Sequence, residues 1–113
     1  MSALRVPIRV VFYREEGSWI AHCLEFDLLG DGDTRETALE QLAQAIRIQV
    51  EATRDYGNPA NLFAPAEGKY FRMFAAGEDV ASTGTSMEFE PLDNITIEHV
   101  ELREFVEPEA AAV

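Results

Sequence analysis

At 113 residues with 47% apolar content, the chain is long enough for one domain with a real core and too apolar for disorder. Its formal charge of -12 at pH 7 repels phosphate backbones, which disfavours direct binding of nucleic acid. No apolar run approaches the ~20 residues that cross a bilayer, so no membrane contact is expected. The N-terminus lacks a signal-peptide pattern, and the lone Cys23 cannot form an internal disulfide. These features read as a cytoplasmic protein.

Residues 6–14, VPIRVVFYR, alternate as a strand, with Ile8, Val10 and Phe12 on one face and Arg9, Val11 and Tyr13 on the other. Pro7 is tolerable near the start of such a strand. EEGS, 15–18, is a short turn in which Gly17 is free to take a positive φ. WIAHCLEF, 19–26, resumes as a second strand and completes an antiparallel hairpin. DLLGDG, 27–32, predicts a third, short strand that stops at Gly30 or Gly32.

The pattern then changes period. Asp33 with Glu36 three residues on makes a capping box, with Thr34 as the alternative cap. Leu39, Leu42, Ala43, Ile46 and Val50 form one apolar stripe, which predicts a helix with Leu42 and Ile46 buried on a sheet. Gly57 and Pro59 close it. A helix of about 23 residues is ~34 Å long, whereas a small sheet is only ~15–20 Å wide. The second half of the helix is therefore expected to overhang.

Two sources of cover are visible. Downstream, NLFAPAEGKYFRMFAAGE carries Leu62, Phe63, Tyr70, Phe71, Met73 and Phe74, and Pro65 suits the first turn of a second, shorter helix. The other source is a partner subunit. Ile48, with Ala45 and Ala52 beside it, forms a second small stripe on the long helix. Ala45, Ile48, Ala52, Phe71 and Phe74 are thus the candidate oligomer or partner contacts, and a homodimer or dimer of dimers is expected.

GEDVASTGTS, 77–86, reads as a loop. NITIEHVELREFV returns as a late strand. Ile95 and Ile97 share one parity, Val100 and Leu102 the other, so a bulge near Glu98 or His99 is required to bury all four. The tail EPEAAAV should fray. Residues 88–109 hold eight acids against the single base Arg103, either a solvated face or a surface that attracts a basic partner. The chain is thus one domain, 1–113: a β-β-β-α core at 6–56, a helix and loop at 57–87, and a returning strand region at 88–106.

Little of this assembles a reaction centre. His22 and Cys23 are adjacent and point to opposite faces of a strand, so they cannot act together as base and nucleophile. Cys23 shares parity with Trp19 and Ala21 and reads as a small core residue. His22 and His99 meet only if their strands pair, and read as ordinary half-exposed histidines. Glu25, Asp27, Asp31 and Asp33 invite a metal, but their spacing lacks the calcium-loop pattern. No phosphate loop, nucleotide fingerprint, zinc spacing or Gly-x-Ser-x-Gly elbow is present, so no catalytic residue, cofactor or metal is assigned. A non-enzymatic protein is expected. The rival reading is a small-ligand or metal-binding domain using Asp27, Asp31 and the sheet edge.

WIAHCLEFD (19–27), the Gly-Asp-Thr at 32–34 and ETALEQLAQAI (36–46) together resemble the HicB-like antitoxin family. The resemblance covers about residues 8–55, half the chain. It implies an α+β fold of the β-β-β-α-β kind, similar to a truncated ribonuclease-H-like or double-stranded-RNA-binding-domain-like module, followed by a C-terminal extension. It also implies a protein that sequesters a small basic RNA-cleaving toxin of the HicA type. Family members carry a separate C-terminal DNA-binding segment. Residues 57–113 show no helix-turn-helix or ribbon-helix-helix pattern, which points to a stand-alone form.

Overall fold

In the computed structural model, β1 (Leu4–Glu15) runs through the middle of a five-stranded mixed sheet. The structure describes residues 4–56, 63–80 and 95–106. In chain order the other elements are β2 (Ser18–Cys23), β3 (Leu28–Gly32), α1 (Arg35–Tyr56), α2 (Gly68–Ala76), β4 (Glu78–Asp79) and β5 (Ile95–Glu104). The strand order is β3-β2-β1-β5-β4, antiparallel throughout except for the parallel pair β1–β5. One helix packs on each face, which makes this an α+β fold.

The β1–β2 hairpin closes through a two-residue loop between paired Glu15 and Ser18. Glu16 and Gly17 have φ of 51° and 84°. Both central residues of a mirror-image type I′ turn need positive φ, and that turn matches the right-handed twist of its strands. Alternation then sorts the side chains. Val10, Phe12, Ala21 and Cys23 face α1, while Val11 and Tyr13 face α2.

The second strand is shorter than its apolar alternation predicts. It ends at Cys23, and residues 24–27 form a turn. The Leu24 amide still bonds the Arg9 carbonyl at 2.9 Å, but the Arg9 amide is taken by the Glu25 carboxylate at 2.6 Å. A side chain thus replaces the next rung of the ladder, and the chain leaves the sheet. Phe26 is carried to the α1 face by the same turn.

Gly30, Asp31 and Gly32 lie inside β3 and pair with Ala21, Ile20 and Trp19. The two glycines are there because α1 presses directly onto this strand. A Cβ at Gly30 would collide with the backbone of Ala38 and Leu42, and one at Gly32 would meet Thr37. The cap of α1 is Thr34, whose hydroxyl accepts the Thr37 amide at 3.1 Å, and not the Asp33 capping box.

Leu39, Leu42, Ile46 and Val50 are all buried, and so is Thr53. The expected overhang of α1 is therefore not found along this stretch. The sheet extends past β1 through β5 and β4, and Val80, Val100 and Leu102 supply cover.

The bulge expected near Glu98 is present. Val6 pairs with Ile97 and Pro7 with His99, which skips Glu98. Pro7 has no amide to donate, so the rung is weakest where the register slips. Beyond it Ile8 pairs with Val100 and Val10 with Leu102, so both β5 residues join the α1 face.

Two readings of the middle of the chain need correction. Pro65 precedes α2, whose first residue is Gly68, and residues 63–67 are extended. Extended backbone there lets the Ala64 and Ala66 amides bond the carbonyls of Glu25 and Leu24, an option a helix would forfeit. The stretch expected as a loop from Gly77 contains β4, which pairs with Glu104 and Arg103 of β5. The rest of that loop, 81–86, lies outside the described residues. So do Gly57, Pro59 and Leu62, the acidic residues of 88–94 and the tail from 107.

Candidate functional site

The face of the sheet opposite α1 holds the densest arrangement of polar and aromatic groups. Tyr13 and His22 project from adjacent antiparallel strands onto this face, and α2 lays Tyr70 across them. The extended segment 63–67 positions α2. Arg103 secures the far end: its guanidinium donates to the Phe74 carbonyl at 3.1 Å and to Asp79 at 3.2 Å, and it lies 4.6 Å from the Phe74 ring centre. A cation at the last turn suits the negative end of the helix dipole.

His22 is 2% exposed, and both its ring nitrogens are bonded. Nε2 lies 2.8 Å from the Asp27 carboxylate and Nδ1 lies 3.1 Å from the Tyr13 hydroxyl. An ionised carboxylate only accepts, so Nε2 carries a proton. In the neutral ring Nδ1 then accepts the proton donated by Tyr13. Asp27 reaches this position from a backbone φ of 52°, unusual for a residue other than glycine.

Hydroxyl, imidazole and carboxylate in a row are the parts of a proton relay. Burial raises the Tyr13 pKa well above its ordinary value, and the neighbouring Tyr70 and the Glu15 and Asp27 carboxylates push in the same direction. A phenol held neutral keeps the proton that it shares with His22 Nδ1. The arrangement fixes the orientation of Tyr13 and His22. Cys23, on the opposite face, is pushed up to about 12 chiefly by burial, and is an inert packed thiol.

Beside Tyr13 opens a cleft of about 610 Å³. It lies between the end of the β1–β2 hairpin, the start of α2 and the chain leaving β5. Tyr13, Trp19, Tyr70, Met73, Phe105 and Val106 supply apolar and aromatic walls, and Arg14, Glu15 and Lys69 supply charge. Tyr13 and Tyr70 stack, with ring centres 5.9 Å apart and planes inclined by 23°.

The residues expected to make contacts fall on two faces. Ile48 is 67% exposed on the outside of α1, with Ala45 and Ala52 half-buried. Phe71 and Phe74 belong to α2, across the sheet. Phe74 is buried against the sheet within the chain, and Phe71 is half-buried with the Arg9 guanidinium 4.8 Å from its ring centre. The five do not form one patch.

The carboxylates considered for metal binding are also separated in role. Asp27 bonds His22, Glu25 binds Arg9, and Asp31 is exposed on the edge strand β3. Among the described residues, no group of three or more His, Cys, Asp or Glu side chains converges. The strands that carry His22 and His99 do not pair, because β1 lies between them.

Sequence reasoning missed the Tyr13–His22–Asp27 chain. The parity of Tyr13 and His22 was readable once a two-residue hairpin loop set the register. The return of Asp27 through a tight turn had no such signal. No family model matches this chain, and neither a curated protein nor a solved structure does so.

Proposed function

We propose that this chain is a non-enzymatic, HicB-like protein that acts by binding another protein, a small basic RNA-cleaving toxin of the HicA type being the partner class. The observation that carries the reading is where the family-like segment falls. Residues 8–55 fall on β1, β2, β3 and α1, and β5, which follows α2 and β4 in the chain, lies beside β1, an arrangement that supports a β-β-β-α-β reading. The occupied bonds of His22 and the buried thiol of Cys23 fit a molecule that binds without reacting. A net charge of -12 favours a basic partner and opposes direct contact with DNA. A single buried, neutral cysteine suits the reducing cytoplasm.

The outer face of α1 around Ile48 is the contact assigned to self-association or to the partner. The test is co-expression with a short basic protein encoded next to this chain. The expected result is a stable complex and loss of that protein's RNA cleavage at equimolar ratio. Separate elution with undiminished cleavage would remove the reading. An orphan that retains the fold without a toxin would dimerise and show neither effect.

A further inference from the structure

We propose that the free edge of β3, with the flank of α1 beside it, accepts one extended, basic strand from a partner protein. This deepens the partner reading above and rests on it for the partner's charge. β3 ends the strand order, so among the described residues the backbone groups along its outer edge have no strand to bond. Such edges are commonly blunted by proline, lysine or a bulge. Leu28–Gly32 has none of these, and its one charged side chain is Asp31.

The two faces of that edge differ. Leu29 and Asp31 pair with His22 and Ile20 and so lie on the α2 face. Yet α2 does not cover them: Leu29 is 53% exposed, and Asp31 is exposed as well. On the other face α1 lies on the strand, with Ala38 and Leu42 against Gly30 and Thr37 against Gly32. At about 3.6 residues per turn, Ala45, Ile48 and Ala52 fall on the opposite side of Leu42 from Ile46 and Val50. Arg35, on the Ile46 side, reaches Glu104 of β5, so the flank with Ala45, Ile48 and Ala52 looks out past β3. A strand added there would rest apolar side chains on that flank and present the alternate ones beside Leu29 and Asp31. Strand addition takes its affinity from main-chain bonds and its specificity from such alternate contacts.

Geometry and charge then choose the occupant. A second copy pairing antiparallel through β3 would set its own α1 on the same face of the joined sheet. Paired strands lie ~4.8 Å apart, but packed helices keep their axes ~8–10 Å apart. Each α1 backbone presses directly on its own Gly30, so the two helices would collide. A second copy can meet the flank of α1 as an alternative to the strand, but it cannot pair with β3. The occupant is therefore a strand that carries no helix on that face. Its charge follows from Asp31 and from the net charge of -12. A Lys or Arg opposite Asp31 makes a favourable cross-strand pair, and an acid there makes an unfavourable one.

The experiment titrates the full chain with the peptide acetyl-Thr-Val-Lys-Val-Lys-Val-Thr-amide, by calorimetry and by amide hydrogen exchange. A peptide of fixed sequence can fail where a protein partner is still found, and can bind where none is. Two controls accompany it: the same peptide with Glu for both Lys, and the basic peptide N-methylated at every Val and Lys. Saturable binding at physiological salt is expected, with slowed exchange of the outward amides of 28–32. It should be about tenfold tighter than for the acidic peptide, the difference between a favourable and an unfavourable charge pair. The methylated peptide keeps the charge but loses its donors, and should not saturate. Asp31→Lys, at an exposed position, should remove the preference for the basic peptide, and Asp31→Asn should weaken it, with both variants melting near the parent. Equal binding of the methylated peptide would reduce the effect to charge attraction and overturn the proposal. So would slowed exchange elsewhere with β3 unchanged, a preference indifferent to Asp31, or no saturable binding in the millimolar range. Outward β3 amides already protected in the free chain wherever it dimerises would give the edge to a second copy and overturn it as well.

Discussion

Gly30 shows how much one hydrogen atom decides in this fold. The α1 backbone lies so close to β3 that a methyl group at position 30 would overlap both Ala38 and Leu42, and neither backbone atom can swing aside. Gly30→Ala should therefore destabilise by ~3 kcal/mol or prevent folding, at the upper end of overpacking effects. Gly17→Ala meets open space and is strained only by its φ of 84°, so a cost of ~1 kcal/mol is expected. Urea melts of both variants check the ordering, and equal losses would mean the helix does not press on β3. Cys23 gives a second test at this scale. Its folded pKa is raised from 9.0 to about 12, so the thiol stays protonated in the native state while the unfolded chain ionises. That contribution is intact below pH 9 and is lost as pH rises from 9 towards 12, by ~1.4 kcal/mol per pH unit. The raised pKa of Tyr13 has the same sign and adds to the loss above pH 10. Cys23→Ala should flatten the first part of the alkaline decline in a melting-temperature profile. A parallel profile would assign the decline to other groups.

Elements end in this molecule where a side chain takes over a backbone bond. Glu25 does so for β2: its carboxylate holds the Arg9 amide at 2.6 Å and the Arg9 guanidinium at 2.7 Å. Glu25→Ala removes both acceptors next to a part-exposed arginine, so a loss of ~1–2 kcal/mol is expected, at the low end for charged hydrogen bonds because water screens the ion pair. Glu25→Gln, which keeps an acceptor for the amide, should recover about half of it. A chemical denaturation series over the two variants separates the contributions. The long helix depends on packing and not on its ends. Leu42 sits fully buried between Gly30 and the β1 face, and Leu42→Ala should cost ~2–5 kcal/mol. An unchanged unfolding midpoint would mean that the buried stripe of α1 is misplaced.

For the molecule as a whole, the sheet is covered on both faces, by α1 on one and α2 on the other. Among the described side chains of α1, the large apolar one left outside is Ile48. An isolated exposed isoleucine carries little energy at roughly 25 cal/mol per Å², so self-association must recruit the half-buried Ala45 and Ala52 beside it. Small residues allow two such helices to approach closely across a two-fold axis. Sedimentation equilibrium should show a dimer for the parent chain and a monomer for Ile48→Asp with unaltered folding. A monomeric parent would exclude the assembly, and an intact dimer in the variant would move the contact off α1.

How much was written locally varies from place to place. Alternation in VPIRVVFYR and WIAHCLEF, the stripe of Leu39, Leu42, Ile46 and Val50, and the clash of parities that demanded a bulge at Glu98 were legible because each is a periodicity between near neighbours in the chain. The amino-acid sequence by itself determined an α+β fold with Cys23 in its core. Three things awaited the tertiary structure. Pairing of β1 with β5, 91 residues apart at Leu4 and Ile95, leaves no local pattern, since it depends on closure of the whole sheet. The purpose of Gly30 and Gly32 looked like a turn because only the approach of α1 shows what a side chain would strike. Tyr13, His22 and Asp27 came from three segments with separate local explanations. A hydrogen-bonded chain exists only where strand register and a tight turn bring its members within about 3 Å, and no periodicity encodes that convergence.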